Sequence, residues 1–338
     1  MLFRSMFLAT GEETYHDRLK AWFDPADPAT FRWGWWRMCG NYGAAIRSYA
    51  FAARTGRPPA GKLDAAFLKK CNTQITKCAE ETTLWSQQGA YGSSFPSATK
   101  AVMAAGWFFS TERAFDIAVG YQLSPRPEFL RALLANINYE GGCNPVNVSY
   151  VTGLGWKRTR DVVHQYAIAD RRALPPSGIP VGNITGSFMY LEHYKSELGA
   201  LTFPNEDASG GSYPLYDRWG DSWNVSAEFV VLDQARSLGA IAFVAALTPA
   251  AQQPWRTAAA SIVLPAKVKA GTKVTARMQV SGLDLNGACT VWEARGVEPA
   301  FGATYTFAPK APGRCWVEAE AQWPDGRRVS AAGSFLVE

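Results

Sequence analysis

The spacing of apolar residues in this chain changes once, near residue 250, and this change constrains the fold more than any other feature. Between about residues 30 and 248, apolar side chains recur every three or four positions, which is typical of amphipathic helices. From residue 259 onward apolar and polar residues alternate, which is typical of strands. Two prolines, Pro249 and Pro254, mark the change. We therefore predict a helical domain over 1–250, a linker over 251–258 and a β-domain over 259–338.

The helical domain is predicted to contain helices that follow one another without intervening strands. Such a pattern favours an all-α array or an (α/α) toroid built from helical hairpins. One long segment, 139–180, is rich in Gly, Pro and Asn and interrupts the pattern. Loops of this length inside a compact domain are usually functional. The predicted helices span residues 35–53, 63–85, 97–118, 127–138, 182–198 and 222–247.

The β-domain is predicted to be a small immunoglobulin-like sandwich, because several short alternating runs fall within about 80 residues. The clearest runs are 261–264, 274–280 and 315–321, and Pro324-Asp325-Gly326 supplies a turn. Cys289 and Cys315 could form a disulfide between the two sheets, which would imply an oxidising compartment. The domain serves either as a spacer or packing support, which we favour, or as a sugar-binding module. The stacking candidates for a sugar-binding module are Trp292, Trp316 and Trp323.

Composition excludes several classes of partner. The formal net charge is +5 over 338 residues, and no run of five or more basic residues occurs, so nucleic acid is not an expected partner. No stretch reaches the ~20 apolar residues that a membrane-spanning helix needs. Three histidines and the absence of Cys-x-x-Cys spacing argue against a zinc cage. We expect no metal and no other cofactor, and composition leaves the oligomeric state open.

The segment 142–155, GCNPVNVSYVTGLG, is the strongest functional signal in the chain. Pro145, Gly153 and Gly155 would steer an ordered loop that presents Tyr150 to a groove. Taken as a string of turn residues, the same segment serves equally well as a structural connector. The segment 142–155 resembles a motif of glycoside hydrolase family 9, whose members are inverting β-glucan hydrolases of the endoglucanase type. In that family the motif lies beside the substrate cleft of an (α/α)6 toroid.

The resemblance extends to residues that would contact the sugar or donate a proton. The family carries a His-His-Arg cluster downstream of the loop, and here only His164 matches it. The segment 216–228 resembles the end of the family's catalytic domain, with Glu228 at the position of the proton donor and Ala227 replacing the usual Asn. The alternative for Glu228 is an ordinary first-turn glutamate favoured by the helix dipole. The remaining residues expected to position the sugar are Tyr150, Asp217, Arg218, Asp221 and Trp223.

The general base of an inverting hydrolase is missing from the pattern. In the family it comes from an Asp-Ala-Gly-Asp motif near the start of the catalytic domain, and residues 22–27 echo this motif only superficially. The resemblance covers about 33–247, a region shorter than a complete toroid. We expect an N-terminally incomplete catalytic domain whose base lies outside this chain. Because the LFRS near the start also matches a sequencing-adapter tail, we expect the first residues to be non-native.

The sequence thus predicts a secreted or periplasmic hydrolase that acts on a β-linked polysaccharide or oligosaccharide by inversion, with Glu228 as general acid. One rival is a truncated or non-catalytic sugar-binding relative. Another is a polysaccharide lyase on a similar toroid, which would need cations to neutralise a uronate carboxylate. The cations available for that role are Lys157, Arg158, Arg160, Arg171 and Arg172.

Overall fold

The computed structural model describes residues 2–22, 41–55, 63–88, 91–94, 110–144, 147–159, 162, 176–181, 184–185, 214–215, 231–248, 258–294 and 297–338. Within these ranges the first 250 residues are mainly helical and the rest forms β-sheets. The helices are α1 (Leu2–Thr10), α2 (Glu13–Trp22), α3 (Asn41–Ala50), α4 (Ala65–Gln88), α5 (Ser110–Leu123), α6 (Pro127–Glu140) and α7 (Val231–Ala246). The strands are β1 (Ile184–Thr185), β2 (Pro214–Leu215), β3 (Ala259–Val263), β4 (Lys267–Val268), β5 (Val274–Ser281), β6 (Cys289–Ala294), β7 (Ala300–Phe301), β8 (Thr304–Phe307), β9 (Gly313–Gln322) and β10 (Arg328–Val337).

Two apolar clusters hold the helices together. The first joins α1–α4 around Phe7, Tyr49 and Ile75, and the second joins α4–α7 around Ile117, Leu133 and Ala240. Small residues allow the closest contacts in the second cluster. A Cβ added at Gly120 of α5 would lie 2.3 Å from the Cβ of Ala79 on α4, so only glycine fits there. Close packing of this kind fixes α5 and α6, and thereby the point where α6 ends.

The helix α7 is tied to α5 by a buried ion pair. Arg236 Nη2 lies 3.4 Å from Asp116 Oδ1, and both side chains are buried. The guanidinium also lies over the ring of Phe115, 5.4 Å from its centroid. Because a buried charge without its partner is costly, this pair fixes the rotation of α7 against the helical core.

The strands β1 and β2 pair with each other, and β3–β10 form two sheets that share one apolar core. The five-stranded sheet has the order β4-β10-β9-β6-β7, and the three-stranded sheet has the order β3-β5-β8. All pairings are antiparallel except that of β4 with β10. Side chains from both sheets pack around Trp292, Met278 and Phe335. Two sheets enclosing one core are consistent with the predicted sandwich, whose immunoglobulin-like topology stays a prediction.

Most of the predicted helices that the structure describes are confirmed in type, with small shifts at their ends. The best match is α6, predicted over 127–138 and observed at Pro127–Glu140 with Pro at the start. The predicted helices 35–53, 63–85, 97–118 and 222–247 correspond to α3, α4, α5 and α7. The predicted ranges 35–53, 97–118 and 222–247 extend beyond the described residues. The predicted helix 182–198 is wrong at its start, because Ile184 and Thr185 pair with Leu215 and Pro214.

The possible disulfide of the β-domain is wrong, and two of the three stacking candidates of the disfavoured sugar-binding alternative are excluded. Cys289 and Cys315 are free and lie in the same sheet: Cys289 is opposite Gln322 on β9, seven residues from Cys315. Seven strand residues span about 23 Å, far beyond disulfide reach. Trp292 and Trp323 are buried in the sandwich core, so neither offers a face for stacking on a sugar. No helix among the described residues has the length and apolar character needed to cross a membrane.

Candidate functional site

The motif loop, defined here as the described residues 147–159, follows α6, which ends at Glu140. Gly141 is the last residue bonded in helical fashion, its N–H donating to the carbonyl oxygen of Ile137 at 2.9 Å. Gly142 then adopts φ +117°, a conformation that L side chains rarely adopt, and the chain turns away from the helix. The Gly-Gly pair therefore sets the direction in which the motif loop leaves the helical core.

Asn144 ties the end of α6 to the motif loop. Its side-chain amide donates to the carbonyl oxygens of Tyr139 at 2.9 Å and Val148 at 2.7 Å, while its Oδ1 accepts from the N–H of Val148 at 3.2 Å. The side chain is buried. Asparagine suits this position because it combines donor and acceptor on one short side chain. The Asn of the motif is therefore a structural residue.

Backbone hydrogen bonds fold the motif loop on itself. The N–H of Ser149 donates to Lys157 O at 2.6 Å, and the N–H of Thr159 donates to Ser149 O at 2.9 Å. The N–H of Tyr150 donates to Glu140 O at 2.8 Å, which joins the loop to the last residue of α6. Because the N–H groups of these three residues are paired, they can be buried at low cost in an irregular segment.

Thr152 and Gly153 join the motif loop to residues 176–181. Thr152 Oγ1 donates to Pro176 O at 2.6 Å and accepts from the N–H of Ile179 at 2.9 Å. Gly153 has φ +69°, and a Cβ there would lie 2.2 Å from Ser177 Oγ. Only glycine satisfies both the backbone angle and the close approach, which accounts for the first glycine of the Gly-x-Gly sequence.

Tyr150 is fully buried in a small apolar cluster at the base of the motif loop. The other members of the cluster are Tyr139, Val148, Val162 and Val181, with Ile179 packed against them. The backbone of Tyr150 is bonded on both sides, since Val181 N–H donates to its carbonyl oxygen at 2.8 Å. Packing of the ring in this cluster therefore stabilises the loop. Direct contact of Tyr150 with a sugar stays a prediction.

The helix α7 contacts the same assembly. Gln234 Nε2 donates a hydrogen bond to the carbonyl oxygen of Pro180, next to the Val181 that pairs with Tyr150. Gln234 lies six positions after Glu228 in the sequence. The segment 176–181 therefore links the two segments that the sequence selects separately, since it bonds both the motif loop and the helix that follows the proposed acid.

The motif loop also covers one face of the five-stranded sheet. On β9, Val317, Ala319 and Ala321 point into the sandwich core. Strand alternation places Glu318, Glu320 and Gln322 on the opposite face, which ordinarily faces solvent. Yet Glu318 and Glu320 are only 3% and 2% exposed. A second protein layer therefore covers this polar face, and residues of the motif loop contribute to it.

Arg158 is the centre of that contact. Its Nη2 donates to Glu320 Oε2 and to the carbonyl oxygen of Gly155 at 2.7 Å, and its Nη1 lies 3.4 Å from Glu318 Oε1. From the sheet side, Arg328 of β10 donates to Glu320 Oε1 at 2.6 Å and to the carbonyl oxygen of Gly153 at 2.7 Å. Each arginine thus bonds both the loop backbone and the buried carboxylate, which joins the two domains.

The pKa of Glu320 reflects this environment. Burial by itself raises the pKa of the carboxyl, because it disfavours the charged form. The hydrogen bond from Arg328 and the charge and hydrogen bond of Arg158 lower it by more, so the pKa lies below its ordinary value of 4.5. Glu320 is therefore ionised at neutral pH, as a buried ion-pair partner must be.

Two further contacts flank the buried ion pairs at the edge of the interface. Trp156 Nε1 donates to Gln322 Oε1 at 2.8 Å, and its ring meets that of Phe301 with centroids 5.2 Å apart at 81°. Lys157 Nζ lies 2.7 Å from Glu298 Oε2. Unlike Arg158, Trp156 is 45% exposed. The interface therefore has a buried charged centre and an aromatic edge that reaches solvent.

Of the predicted site residues, the structure describes only Tyr150. His164, Asp217, Arg218, Asp221, Trp223 and Glu228 lie outside the described residues. So do Asp24 and Asp27, the two acids of the segment 22–27 that superficially echoes the family's base motif. Among the described residues no group of three or more His, Cys, Asp or Glu side chains could hold a metal ion. The assignments to the undescribed residues stay predictions.

Sequence reasoning missed the contact between Arg158 and the two glutamates. Arg158 is one of the five cations available to the lyase alternative, whereas its guanidinium is occupied by protein groups. A usable signal was present on β9, where Glu318 and Glu320 alternate with the core residues Val317, Ala319 and Ala321. Two acids on one face of a central strand call for a cationic partner, although the sequence does not say which one.

A protein-family profile matches most of the helical region. The sequence profile described as glycosyl hydrolase family 9 matches residues 4–222, more than half of the chain. The chain belongs to glycosyl hydrolase family 9. The family match begins well before residue 33, where the resemblance seen in the sequence starts, and it contains the entire motif loop. It ends six positions before Glu228. No curated protein sequence matches the chain.

Membership in family 9 supports glycoside hydrolysis of β-glucans in general and a carbohydrate as the substrate. It also implies a helical toroid, with which the helices of the described residues are consistent. Family 9 proteins are usually extracellular. The reaction mechanism, the acid and the substrate of this member are matters of proposal.

Proposed function

We propose that this family 9 protein hydrolyses β-glycosidic bonds of a cellulose- or β-glucan-type chain by inversion, with Glu228 as the general acid. In such a mechanism one carboxylic acid protonates the leaving oxygen while a second carboxylate activates water on the opposite face of the sugar. Tyr150, His164, Asp217, Arg218, Asp221 and Trp223 are proposed to position the sugar, and the proposal assigns the general base to no residue.

The observation that carries the proposal is the link between α7 and the family motif through residues 176–181, which bond both of them. The motif loop is a closed, internally bonded unit on the end of α6, and Gln234 of α7 donates to its neighbour Pro180. Glu228 precedes the first residue of α7 by only three positions. A catalytic acid must be held against the substrate by rigid elements, and the buried Arg236–Asp116 pair makes α7 such an element.

The acid must carry its proton at the working pH, so its pKa has to lie well above that of a free glutamate. Trp223, five residues before Glu228, is proposed to supply apolar surroundings that raise the pKa. The alternative, a glutamate that merely complements a helix N-terminus, would instead stay ionised. The two readings differ in the descending, alkaline limb of the pH–rate profile, because activity is lost there as a general acid loses its proton.

The lyase alternative loses two of the five cations on which it depends. Arg158 is buried against Glu318 and Glu320, and Lys157 is paired with Glu298. A cation already neutralised by a carboxylate is a poor partner for a uronate carboxylate. Arg160, Arg171 and Arg172 lie outside the described residues. The described contacts therefore favour hydrolysis over elimination.

The test is hydrolysis of a soluble β-glucan by the wild-type chain, by Glu228→Gln and by the matched control Glu12→Gln, an exposed glutamate of the first helical region. Loss of a general acid typically costs about 10²–10⁴-fold in kcat. We expect that loss in Glu228→Gln and unchanged turnover in Glu12→Gln. Proton NMR of the first product should show the α-anomer, since inversion converts a β-linkage into an α-hemiacetal.

Four outcomes would contradict the proposal in different places. Full activity of Glu228→Gln would remove Glu228 from the mechanism, and a β-anomeric first product would exclude inversion. Binding of β-glucan without turnover in the wild-type chain would favour the non-catalytic sugar-binding relative. Release of unsaturated products from uronate polymers, read by ultraviolet absorbance, would favour the lyase.

A further inference from the structure

The aromatic edge of the interface between the motif loop and the β-domain has the properties of a carbohydrate-binding surface. Trp156 lies on the motif loop, in the region matched to glycosyl hydrolase family 9, and Phe301 lies on β7 of the β-domain. Their side chains are 45% and 55% exposed, which is unusual for two large rings in contact. Contiguous exposed apolar groups are candidates for a binding surface, and Trp156 directly follows the family motif 142–155.

We propose that Trp156 is a sugar-stacking residue of the β-glucan-binding cleft, and that the β-domain fixes the orientation of its indole. This inference rests on the proposed function, because it takes the β-glucan chain as the ligand. It assigns the trailing domain a defined part in substrate binding. Gln322, Glu320 and Arg158 are positioning residues in this arrangement and do not touch the sugar.

The hydrogen bonds of the interface account for a fixed indole. Trp156 Nε1 donates to Gln322 Oε1 at 2.8 Å, so the polar edge of the ring is already satisfied by protein. What remains for a ligand is the apolar face, which suits the C–H groups of a pyranose ring. Phe301 meets the indole at 81°, and a perpendicular contact of this kind occupies at most one of its two faces.

The orientation of Gln322 is in turn set by the buried ion pairs. Gln322 Nε2 donates to Glu320 Oε1 at 2.6 Å, which leaves its Oε1 turned toward the indole N–H. Glu320 is itself held by Arg158 and Arg328. A continuous set of hydrogen bonds therefore runs from the indole to Gln322, to Glu320 and back to Arg158 on the same loop. A ring held in this way loses little further entropy when a sugar stacks on it.

The experiment is isothermal titration with a soluble β-1,4-gluco-oligosaccharide, combined with the KM and kcat of turnover. We expect Trp156→Ala to raise the Kd about tenfold and to raise KM to the same extent, with kcat little changed. Trp156→Phe keeps a ring but loses the N–H, so its Kd should lie between those of the wild-type protein and Trp156→Ala. Val263→Ala, an exposed apolar position on the three-stranded sheet, is the matched control and should bind normally.

A double-mutant cycle tests the positioning residues. Gln322→Leu keeps the approximate size of the side chain but loses the hydrogen bond to the indole N–H. We expect it to raise the Kd about threefold in the wild-type background. In the Trp156→Ala background it should have no further effect, because the group that it positions is gone. A purely structural role for Gln322 would instead weaken binding equally in both backgrounds. Arg158→Lys should restore part of the affinity lost in Arg158→Gln.

The outcomes separate this inference from the proposed hydrolysis. An unchanged Kd in Trp156→Ala would overturn the stacking role even if the chain hydrolyses β-glucan normally. A loss of affinity in Trp156→Ala, found in a chain that binds β-glucan without turnover, would support the stacking role while contradicting hydrolysis. Should Arg158→Gln fail to fold, the cycle with Gln322→Leu decides the matter alone, since Gln322 and Trp156 lie at the solvent edge of the interface.

Discussion

Arg158 and Glu320, 162 residues apart in the sequence, form a buried ion pair that joins the motif loop to the central strand of the five-stranded sheet. Arg158 also bonds the carbonyl oxygen of Gly155, and Arg328 bonds that of Gly153. Both glycines of the family motif thus offer their carbonyl oxygens to arginines that contact Glu320. The β-domain is therefore packed against the part of the chain that identifies the family.

Replacing Arg158 should destabilise the protein severely. Arg158→Gln would leave Glu318 and Glu320 buried with less than their full charge compensation, and breaking one side of a buried ion pair typically costs about 3–5 kcal/mol. The free energy of unfolding from urea titration measures the loss. Lys157→Gln is the control on the same loop. Its partner Glu298 is largely exposed, so we expect a change of only about 0–1 kcal/mol.

Glu320 should make stability depend on pH in the acid range. Because its pKa in the folded protein lies below the ordinary value of 4.5, ionised Glu320 contributes stability that is fully present above that value. The contribution is lost as the pH falls from about 4.5 through the lower folded-state pKa. Glu320→Gln should be less stable at pH 7 and should show a flatter decline below pH 4.5.

Thermal unfolding midpoints measured between neutral and acid pH would show the difference. Glu12→Gln, which removes an exposed carboxylate far along the chain from the interface, should keep the wild-type profile. A Glu320→Gln profile parallel to that of the wild-type protein over the whole range would show that the carboxylate does not titrate as an ion-pair partner.

The sequence predicted those parts of the fold that depend on local signals. The start of α6 follows from Pro127, its end follows from the Gly-Gly pair, and the prediction misses the observed end by two residues. The alternation in 274–280 likewise matches β5 at Val274–Ser281. In both segments the residues that determine the structure lie within one turn or one strand, so a short window of sequence contains the necessary information.

The failures involve partners that are distant in sequence. The strand β1 exists because Ile184 pairs with Leu215, 31 positions away, and no pattern near residue 184 indicates that pairing. Glu318 and Glu320 look like solvent-facing strand residues until a loop from the other domain covers them. Arg158 looks available for a substrate for the same reason. The candidate site was located by its motif, but its supporting contacts depend on tertiary structure that no local pattern encodes.

Asn144 should be more important for stability than for chemistry. Asn144→Ala removes one acceptor and two donors and leaves the buried backbone groups of Tyr139 and Val148 without this partner. Each such loss typically costs about 1–3 kcal/mol. Asn144→Asp keeps the acceptor but cannot donate when ionised, so we expect it to be no better than alanine. Hydrogen exchange of the 147–159 amides should rise in both variants, whereas Asn286→Ala, in an exposed turn, should leave it unchanged.

Gly153 and Gly178 provide a matched pair that separates backbone strain from steric overlap. Both have positive φ, +69° and +92°, so alanine is strained at either position. At Gly178 an added Cβ meets nothing within 4 Å, whereas at Gly153 it would lie 2.2 Å from Ser177 Oγ. We expect Gly178→Ala to cost about 1–2 kcal/mol and Gly153→Ala to cost clearly more.

The Ser177→Gly change in the Gly153→Ala background completes this prediction, because it removes the hydroxyl that the new methyl group would strike. The double variant should regain stability toward that of Gly178→Ala, leaving mainly the cost of the positive φ. Urea unfolding of the four proteins measures both contributions. Equal losses in Gly153→Ala and Gly178→Ala would mean that Ser177 moves aside freely. In that case the motif requires glycine at position 153 for its backbone angle alone.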